Sequence, residues 1–118
     1  RAAGYLNNLA LIDLELGRIR SEMEASGAWN KTWVIVSADH SWQQSSLFDH
    51  QVDYRVPFVI KSPGTNQNLT YSPKINTVLT RDLIDAILRK DISNQQDLAS
   101  WLDTNGKPLP VYMGNNDN

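Results

Sequence analysis

The segment Thr32-Trp33-Val34-Ile35-Val36-Ser37 is β-branched, aromatic and nearly continuous in its hydrophobicity. A strand with one face in water alternates apolar and polar residues, whereas a strand buried on both faces is apolar throughout. We therefore expect a central strand over residues 32–37. Strands of this kind belong to sheets with helices on both faces, so the segment predicts an α/β fold with a mainly parallel sheet flanked by helices.

Residues 2–26, which precede this strand, show the periodicity of one amphipathic helix. Apolar side chains recur at alternating steps of four and three positions, at Tyr5, Leu9, Ile12, Leu16, Ile19 and Met23. This spacing places them on one helical face, which we expect to pack in a core. Gly27 is a natural C-terminal stop for the helix. Asp13 lies close to the apolar face and is a candidate for a buried polar anchor.

A second strand is expected over residues 56–61, where Pro57 marks the start or an edge because proline has no N–H for a ladder. Thr80 is expected to cap a second helix, and Ser93 or Asn94 to start a last helix that ends at Asn105-Gly106. We assign residues 1–106 to one folded unit and residues 107–118 to a peripheral tail.

Composition excludes several classes of protein. The 118 residues fit one domain, and their formal charge of −2 with scattered lysine and arginine argues against nucleic-acid binding. The absence of cysteine excludes disulfides, thiol catalysis and thiolate metal sites. Because the chain begins at Arg1 and enters a helical pattern at once, we expect it to be part of a longer protein.

Asp39 and His40 are the residues best placed for chemistry. They stand just beyond the carboxyl end of the predicted central strand, the edge at which open α/β sheets bind ligands. A carboxylate oxygen and an imidazole nitrogen can share one divalent ion, and this mixed donor set suits zinc or manganese better than calcium or magnesium. Two ligands do not complete a site. The alternative interpretation is a capped turn without a metal.

Two further segments extend this pattern. Gly27-Ala28-Trp29-Asn30-Lys31-Thr32 leads into the strand that ends in Ser37-Ala38-Asp39-His40, and Arg55-Val56-Pro57 opens a strand that closes in Pro63-Gly64. Together with the helix that carries Asp13, these segments resemble the C-terminal part of the sulfatase and alkaline-phosphatase superfamily over roughly residues 5–90. Ser41 departs from the family, which usually has glycine after the Asp-His pair.

The resemblance implies a metal-dependent hydrolase or transferase of sulfate or phosphate esters. Asp39 and His40 would be metal ligands, with manganese, zinc or calcium as the candidate ion. The nucleophile and the other acidic ligands of the family lie in an N-terminal half that no segment here resembles. The isolated chain is then expected to be inactive, to expose apolar surface and to self-associate. The parent protein is expected to be extracytoplasmic or membrane-anchored, as relatives often are.

A second hypothesis is a non-catalytic association module, or a family member that has lost its chemistry. Family members often hold the anionic ester with a histidine or lysine in the loop that follows the Asp-His pair, which makes His50 a candidate substrate-binding residue. A solvated loop histidine is the alternative. Lys61 is expected to be an exposed charge at a strand end. Trp29 and Trp42 flank the strand and either pack or form the wall of a pocket.

Overall fold

The computed structural model describes residues 2–42 and 44–106. The elements follow the order α1 (Ala2–Ala25), β1 (Val34–Ser37), α2 (Ser46–Asp49), β2 (Phe58–Lys61), α3 (Thr80–Leu88) and α4 (Gln95–Asn105). Short 3₁₀ turns lie at Trp29–Lys31 and Thr77–Leu79. The expected mixture of helix and strand is confirmed. The predicted tail, residues 107–118, lies outside the described residues.

β1 and β2 form a two-stranded antiparallel sheet, in which Val34 lies opposite Lys61 and Ser37 lies opposite Phe58. The described residues therefore do not form the mainly parallel sheet that the sequence predicted. A parallel neighbour requires a long crossover that carries the chain back to the starting end of the first strand, usually through a helix. Among residues 38–42 and 44–57, the one helix or strand is the four-residue α2, and the chain returns alongside β1 in the opposite direction.

The burial of β1 also differs from the expectation of a central strand covered on both faces. Within the described residues β2 is its one partner, and β1 is half-buried. Ile35 and Ile60 pair across the sheet and pack against the core, together with Trp33 and Phe58 on the same face. Val59, on the opposite face, remains exposed. The inner face packs against the core, whereas the outer face is covered only in part, since Val34 and Val36 are half-buried and Val59 is exposed.

The core lies between α3, α4 and the inner face of the sheet. Its fully or nearly fully buried members are apolar side chains from the two helices and the segments beside them: Leu79, Leu83, Ala86, Ile92, Leu98 and Leu102. Helical spacing explains why these side chains are buried together, because positions three and four apart share one face of a helix. The connection between α3 and α4 is short, so the two apolar faces meet.

The N-termini of α3 and α4 are capped in different ways. At α4, Asn94 accepts a hydrogen bond from the N–H of Asp97 at 2.9 Å, and the Asp97 carboxylate accepts one from the N–H of Ser93 at 3.0 Å. This reciprocal capping confirms the expected start. Thr80 does not cap α3, since its hydroxyl donates to the Thr77 carbonyl at 2.6 Å. The 3₁₀ turn precedes α3, and Asn76 caps that turn.

α1 has almost the predicted bounds, yet its apolar face is not covered by the described residues. Leu9, Ile12, Leu16 and Ile19 are all exposed, and so is Asp13, which is therefore not a buried anchor.

The radius of gyration is 17.2 Å, whereas a compact chain of this length would have about 13.5 Å. Among the described residues, no helix combines the length and hydropathy needed to cross a bilayer.

Candidate functional site

Asp39 and His40 lie in an irregular segment, two and three residues after β1 ends at Ser37. The Asp39 carboxylate oxygen Oδ1 accepts a hydrogen bond from the backbone N–H of His40 at 3.0 Å. The imidazole Nδ1 of His40 lies 2.8 Å from the carbonyl oxygen of Ser41. Both side chains are therefore held by the backbone immediately around them, at the end of the strand.

The contact with Ser41 determines which nitrogen of His40 carries the proton. A carbonyl oxygen only accepts hydrogen bonds, so Nδ1 must be the donor. In the neutral imidazole, Nε2 then has a free lone pair. A backbone carbonyl on one imidazole nitrogen is the arrangement that orients histidines for metal binding through the other.

The free Nε2 of His40 lies 3.8 Å from Oδ1 of Asp39. Two donor atoms in cis around one ion, with bonds of about 2.1–2.4 Å, lie about 3.0–3.9 Å apart. The observed separation falls within this range and exceeds that of a hydrogen bond. The Asp39 side chain is 91% exposed and the His40 side chain is 67% exposed, so both face solvent.

Within residues 2–42 and 44–106, no group of three or more histidine, aspartate or glutamate side chains comes together. His50 is therefore not close enough to Asp39 and His40 to form a three-residue metal-binding group with them. His50 follows α2 with φ of 61°, and its N–H donates to the Ser46 carbonyl at 2.9 Å. Its side chain is exposed, as expected for either a solvated or a substrate-contacting histidine.

After Asp39, the first carboxylate outside α2 is Asp53, and it forms an ion pair with Arg55. The Arg55 guanidinium binds both of its oxygens, at 2.9 Å from Nε to Oδ1 and 2.6 Å from Nη2 to Oδ2. These side-chain hydrogen bonds, with a further one from the Arg55 backbone N–H, lower the pKa of Asp53 to about 2. Asp53 serves as the partner of Arg55 and is less suited to ligate an ion.

Lys61 is not the exposed strand-end charge that the sequence predicted. Its ammonium donates to the carbonyl oxygens of Trp29 and, at 3.0 Å, of Thr32, and it lies 4.8 Å from the centre of the Trp29 ring. Partial burial lowers the pKa of Lys61. Its role here is to bind the end of β2 to the 3₁₀ turn. The partners stand 32 and 29 positions away, so no local sequence signal identifies them.

Three aromatic rings meet at Trp42, which follows His40 by two residues in the sequence. The ring of Tyr5 on α1 stacks on Trp42, with centroids 4.3 Å apart and planes 9° from parallel. Phe48 on α2 meets Trp42 in a tilted arrangement at 5.5 Å. We call Tyr5, Trp42 and Phe48 the aromatic cluster. The sequence singled out Trp42, but Tyr5 and Phe48 carried no signal that would place them next to it.

Comparison with known proteins gives a consistent result. The sequence model of the family described as "Sulfatase" matches residues 1–99. The "Extracellular sulfatase SULF-1 homolog" of Drosophila melanogaster is 24% identical over 115 residues, which cover 92% of this chain and 9% of that protein. The "Arylsulfatase" of Volvox carteri is 28% identical over 121 residues, or 96% of this chain and 18% of that protein.

A third relative is the "Multifunctional alkaline phosphatase superfamily protein PehA" of Trinickia caryophylli. It is 32% identical over 75 residues, which cover 56% of this chain and 14% of that protein. The chain thus spans less than a fifth of the length of each of these relatives. No solved structure gives a significant match. The family match over most of the chain confirms the resemblance seen in its sequence, and the chain belongs to the sulfatase family.

Proposed function

We propose that this chain is the C-terminal portion of a metal-dependent hydrolase of sulfate esters, in which Asp39 and His40 supply two ligands to the metal. One observation carries the proposal: a carboxylate oxygen of Asp39 and the imidazole Nε2 of His40, whose Nδ1 lies against a carbonyl oxygen, are 3.8 Å apart at the end of a strand. The family match supports the reaction class. The longer relatives support a parent protein of which this chain is a part.

Each residue has a distinct role in this proposal. Asp39 Oδ1 and His40 Nε2 bind the ion, and the carbonyl of Ser41 keeps the imidazole in the tautomer that can do so. A divalent ion in such a site polarises an ester oxygen and favours the ionised form of a nucleophile. Manganese, zinc and calcium remain the candidates. The nucleophile and the remaining ligands would come from other parts of the longer protein.

The same proposal accounts for the surfaces that the described residues leave uncovered. The free edge of β1 would pair with further strands, giving the mainly parallel sheet expected of the fold, and the outer face with Val59 would be covered. The apolar stripe of α1 would pack against the same additional layer. Exposed apolar surface of this extent is unusual unless another part of the protein covers it.

The test uses the longer protein, with His40→Ala as the main variant. Loss of a residue that merely supports a ligand costs about 10–100-fold in metal affinity or activity. We therefore expect loss of the ligand itself to lower kcat/KM for 4-nitrophenyl sulfate by more than about 100-fold. Metal content, measured by mass spectrometry of the purified protein, should fall in parallel. Metal binding should also weaken in acid, because imidazole ligates only in its neutral form.

His50→Ala is the matched control, since it removes a histidine from the same connection. If His50 contacts the ester, this variant should keep its metal and show a raised KM. If His50 is only solvated, neither quantity should change. Unchanged metal content and turnover in His40→Ala would contradict the metal site and favour a non-catalytic module, with Asp39 and His40 forming a capped turn.

The choice between sulfate and phosphate esters is tested with the same protein. Two of the relatives bear sulfatase names, which favours sulfate, whereas the third is named for the alkaline phosphatase superfamily. We expect kcat/KM to be higher for 4-nitrophenyl sulfate than for 4-nitrophenyl phosphate, and the reverse order would reassign the substrate. One relative is named extracellular, and we propose an extracytoplasmic location for the parent protein.

A further inference from the structure

The C-terminal end of α4 carries a dipeptide whose chemistry the proposed function does not use. Asn105 is the last residue of α4, and it is the one asparagine of the chain that glycine follows. In an Asn-Gly pair, the glycine backbone nitrogen can attack the side-chain amide carbon of the asparagine, because glycine has no side chain to hinder the approach. Asn105 is exposed, so water, the second reactant, reaches it.

The reaction is an intramolecular substitution followed by hydrolysis. The Gly106 nitrogen loses its proton and forms a bond to Cγ of Asn105, while the bond from Cγ to Nδ2 breaks. Nδ2 takes up the proton and leaves as ammonia, which gives a cyclic imide. Water then opens the imide at one carbonyl to give aspartate or at the other to give isoaspartate. Water is therefore the one co-reactant.

The folded end of α4 holds both reacting groups out of this geometry. The Gly106 N–H donates to the Leu102 carbonyl at 2.7 Å, so the attacking nitrogen is already engaged. The Asn105 Nδ2 donates to the Trp101 carbonyl at 2.9 Å, which draws the side-chain amide back over the preceding turn and away from Gly106. The last carbonyls of a helix lack partners within it, so these two bonds also complete the end of α4.

Tertiary contacts keep this end of α4 closed. Gly106 is buried, and a Cβ placed on it would stand 2.8 Å from a methyl carbon of Ile75, so the segment before α3 packs directly on the reacting peptide. The Tyr71 hydroxyl of the same segment donates to the Asp103 carboxylate at 2.8 Å. Attack on the amide therefore requires the last turn of α4 to separate from these contacts.

We propose that Asn105-Gly106 is a site of spontaneous deamidation that the folded end of α4 suppresses, so that the modified fraction reports how often this end opens. The inference does not depend on the metal site. The product opposes closure, because an aspartate carboxylate has no proton to donate to the Trp101 carbonyl. Its negative charge also lies at the C-terminal end of a helix, where the helix dipole disfavours anions.

The test measures deamidation of the 118-residue chain in neutral buffer, with and without concentrated urea. Peptide mass spectrometry detects the replacement of NH2 by OH at Asn105, and isoaspartate is assayed on the same peptide. We expect conversion at least about 10-fold faster in urea, because opening the helix end costs free energy in the folded chain. Asn68 is exposed but precedes leucine, so it is the internal control and should convert slowly in both conditions.

Two variants separate the fold from the chemistry. Tyr71→Phe keeps the ring that packs against the core and removes the hydroxyl that binds Asp103. Loss of this hydrogen bond should raise the rate in buffer by about 2- to 10-fold and leave the rate in urea unchanged. Asn105→Gln needs a larger ring for the same attack, and conversion at this position should become much slower in urea.

The outcomes test the site and its suppression separately. Equal rates with and without urea, or an unchanged rate of Tyr71→Phe in buffer, would overturn the suppression by the folded end of α4. Absence of conversion at Asn105 in urea would overturn the site itself. Circular dichroism of Tyr71→Phe in buffer checks that a faster rate comes from opening at α4 and not from global unfolding.

Discussion

α1 and the α3–α4 pair carry similar apolar stripes, but only the second stripe is buried. Leu83 on α3 is completely buried, whereas Ile12 in the middle of α1 is 53% exposed. α3 and α4 are joined by a short connection and share the inner face of the sheet. α1 packs against the 3₁₀ turn at its C-terminal end and contacts Trp42 through Tyr5 near its start. An amphipathic pattern thus predicts that a helix needs a packing partner, but it does not say where in the protein that partner lies.

The largest effect should come from truncating the buried stripe. Leu83→Ala in the 118-residue chain is expected to lower the free energy of unfolding by about 3–5 kcal/mol, through lost burial and the cavity left behind. Urea denaturation followed by tryptophan fluorescence measures the change.

Ile12→Ala is the matched change on α1. Surface substitutions usually alter stability by less than about 0.5 kcal/mol, and we expect that result here for the chain as a monomer. A loss for Ile12→Ala as large as that for Leu83→Ala would mean that the α1 stripe is already covered in the isolated chain.

The exposed stripe of α1 should make the isolated chain self-associate. We expect dimers or larger species by sedimentation at low micromolar concentration. Leu9→Glu combined with Ile12→Glu should give monomers, because each change removes about 1.5–3 kcal/mol of apolar burial from the contact. Leu14→Glu adds a charge on another face of α1 and should not change the mass of the associated species. A stable, folded monomer of the unmodified chain would contradict the prediction.

Gly106 at the end of α4 and Gly17 in α1 differ in the same way in how closely their surroundings pack. A Cβ at Gly106 would stand 2.6 Å from the Leu102 carbonyl oxygen and 2.8 Å from a methyl carbon of Ile75, so Gly106→Ala should destabilise the α4 end by about 1–3 kcal/mol. A Cβ at Gly17 in α1 would meet nothing within 4 Å. Gly17→Ala should therefore stabilise α1 by up to about 1 kcal/mol.

Circular dichroism and thermal melting distinguish the two outcomes. Gly106→Ala should lower the melting temperature, and Gly17→Ala should raise the helical signal without lowering that temperature. Equal effects of the two substitutions would show that α1 packs as tightly as α4.

The smallest effect should come from the Asp53–Arg55 pair, which is open to solvent. The pKa of Asp53 lies at about 2, below its ordinary value of 3.8. A lowered pKa contributes stability above the ordinary value, and that contribution disappears as the pH falls through about 2.

Arg55→Ala should raise the pKa of Asp53 towards 3.8, as measured by carbon NMR titration of the carboxyl group. The variant should also lose less stability than the unmodified chain as the pH falls between these values. Arg89→Ala removes an arginine from another exposed pair and should leave the Asp53 titration unchanged. An unshifted titration in Arg55→Ala would contradict the ion pair.

Local features of this chain could be predicted from the sequence because their causes lie within a few residues. The periodicity over residues 2–26 predicted α1, observed as Ala2–Ala25. Ser93 or Asn94 was expected at the start of α4, and Asn94 caps it there. Pro57 was expected at the start or an edge of a strand over residues 56–61, and it immediately precedes β2, which begins at Phe58. Family membership followed in the same way from short segments around the Asp-His pair, and the family match confirms it.

Sequence alone thus predicted α1, α3, α4, both strands and the family, but it did not predict α2. Tertiary structure decided the antiparallel pairing of β1 with β2 and the burial of α3 rather than α1. It also decided the contacts of Lys61 with the turn at Trp29. These interactions differ in their separation along the sequence. Helix propensity and capping act over about one turn, whereas strand pairing and apolar burial depend on segments that are distant in the sequence and pack together in the fold.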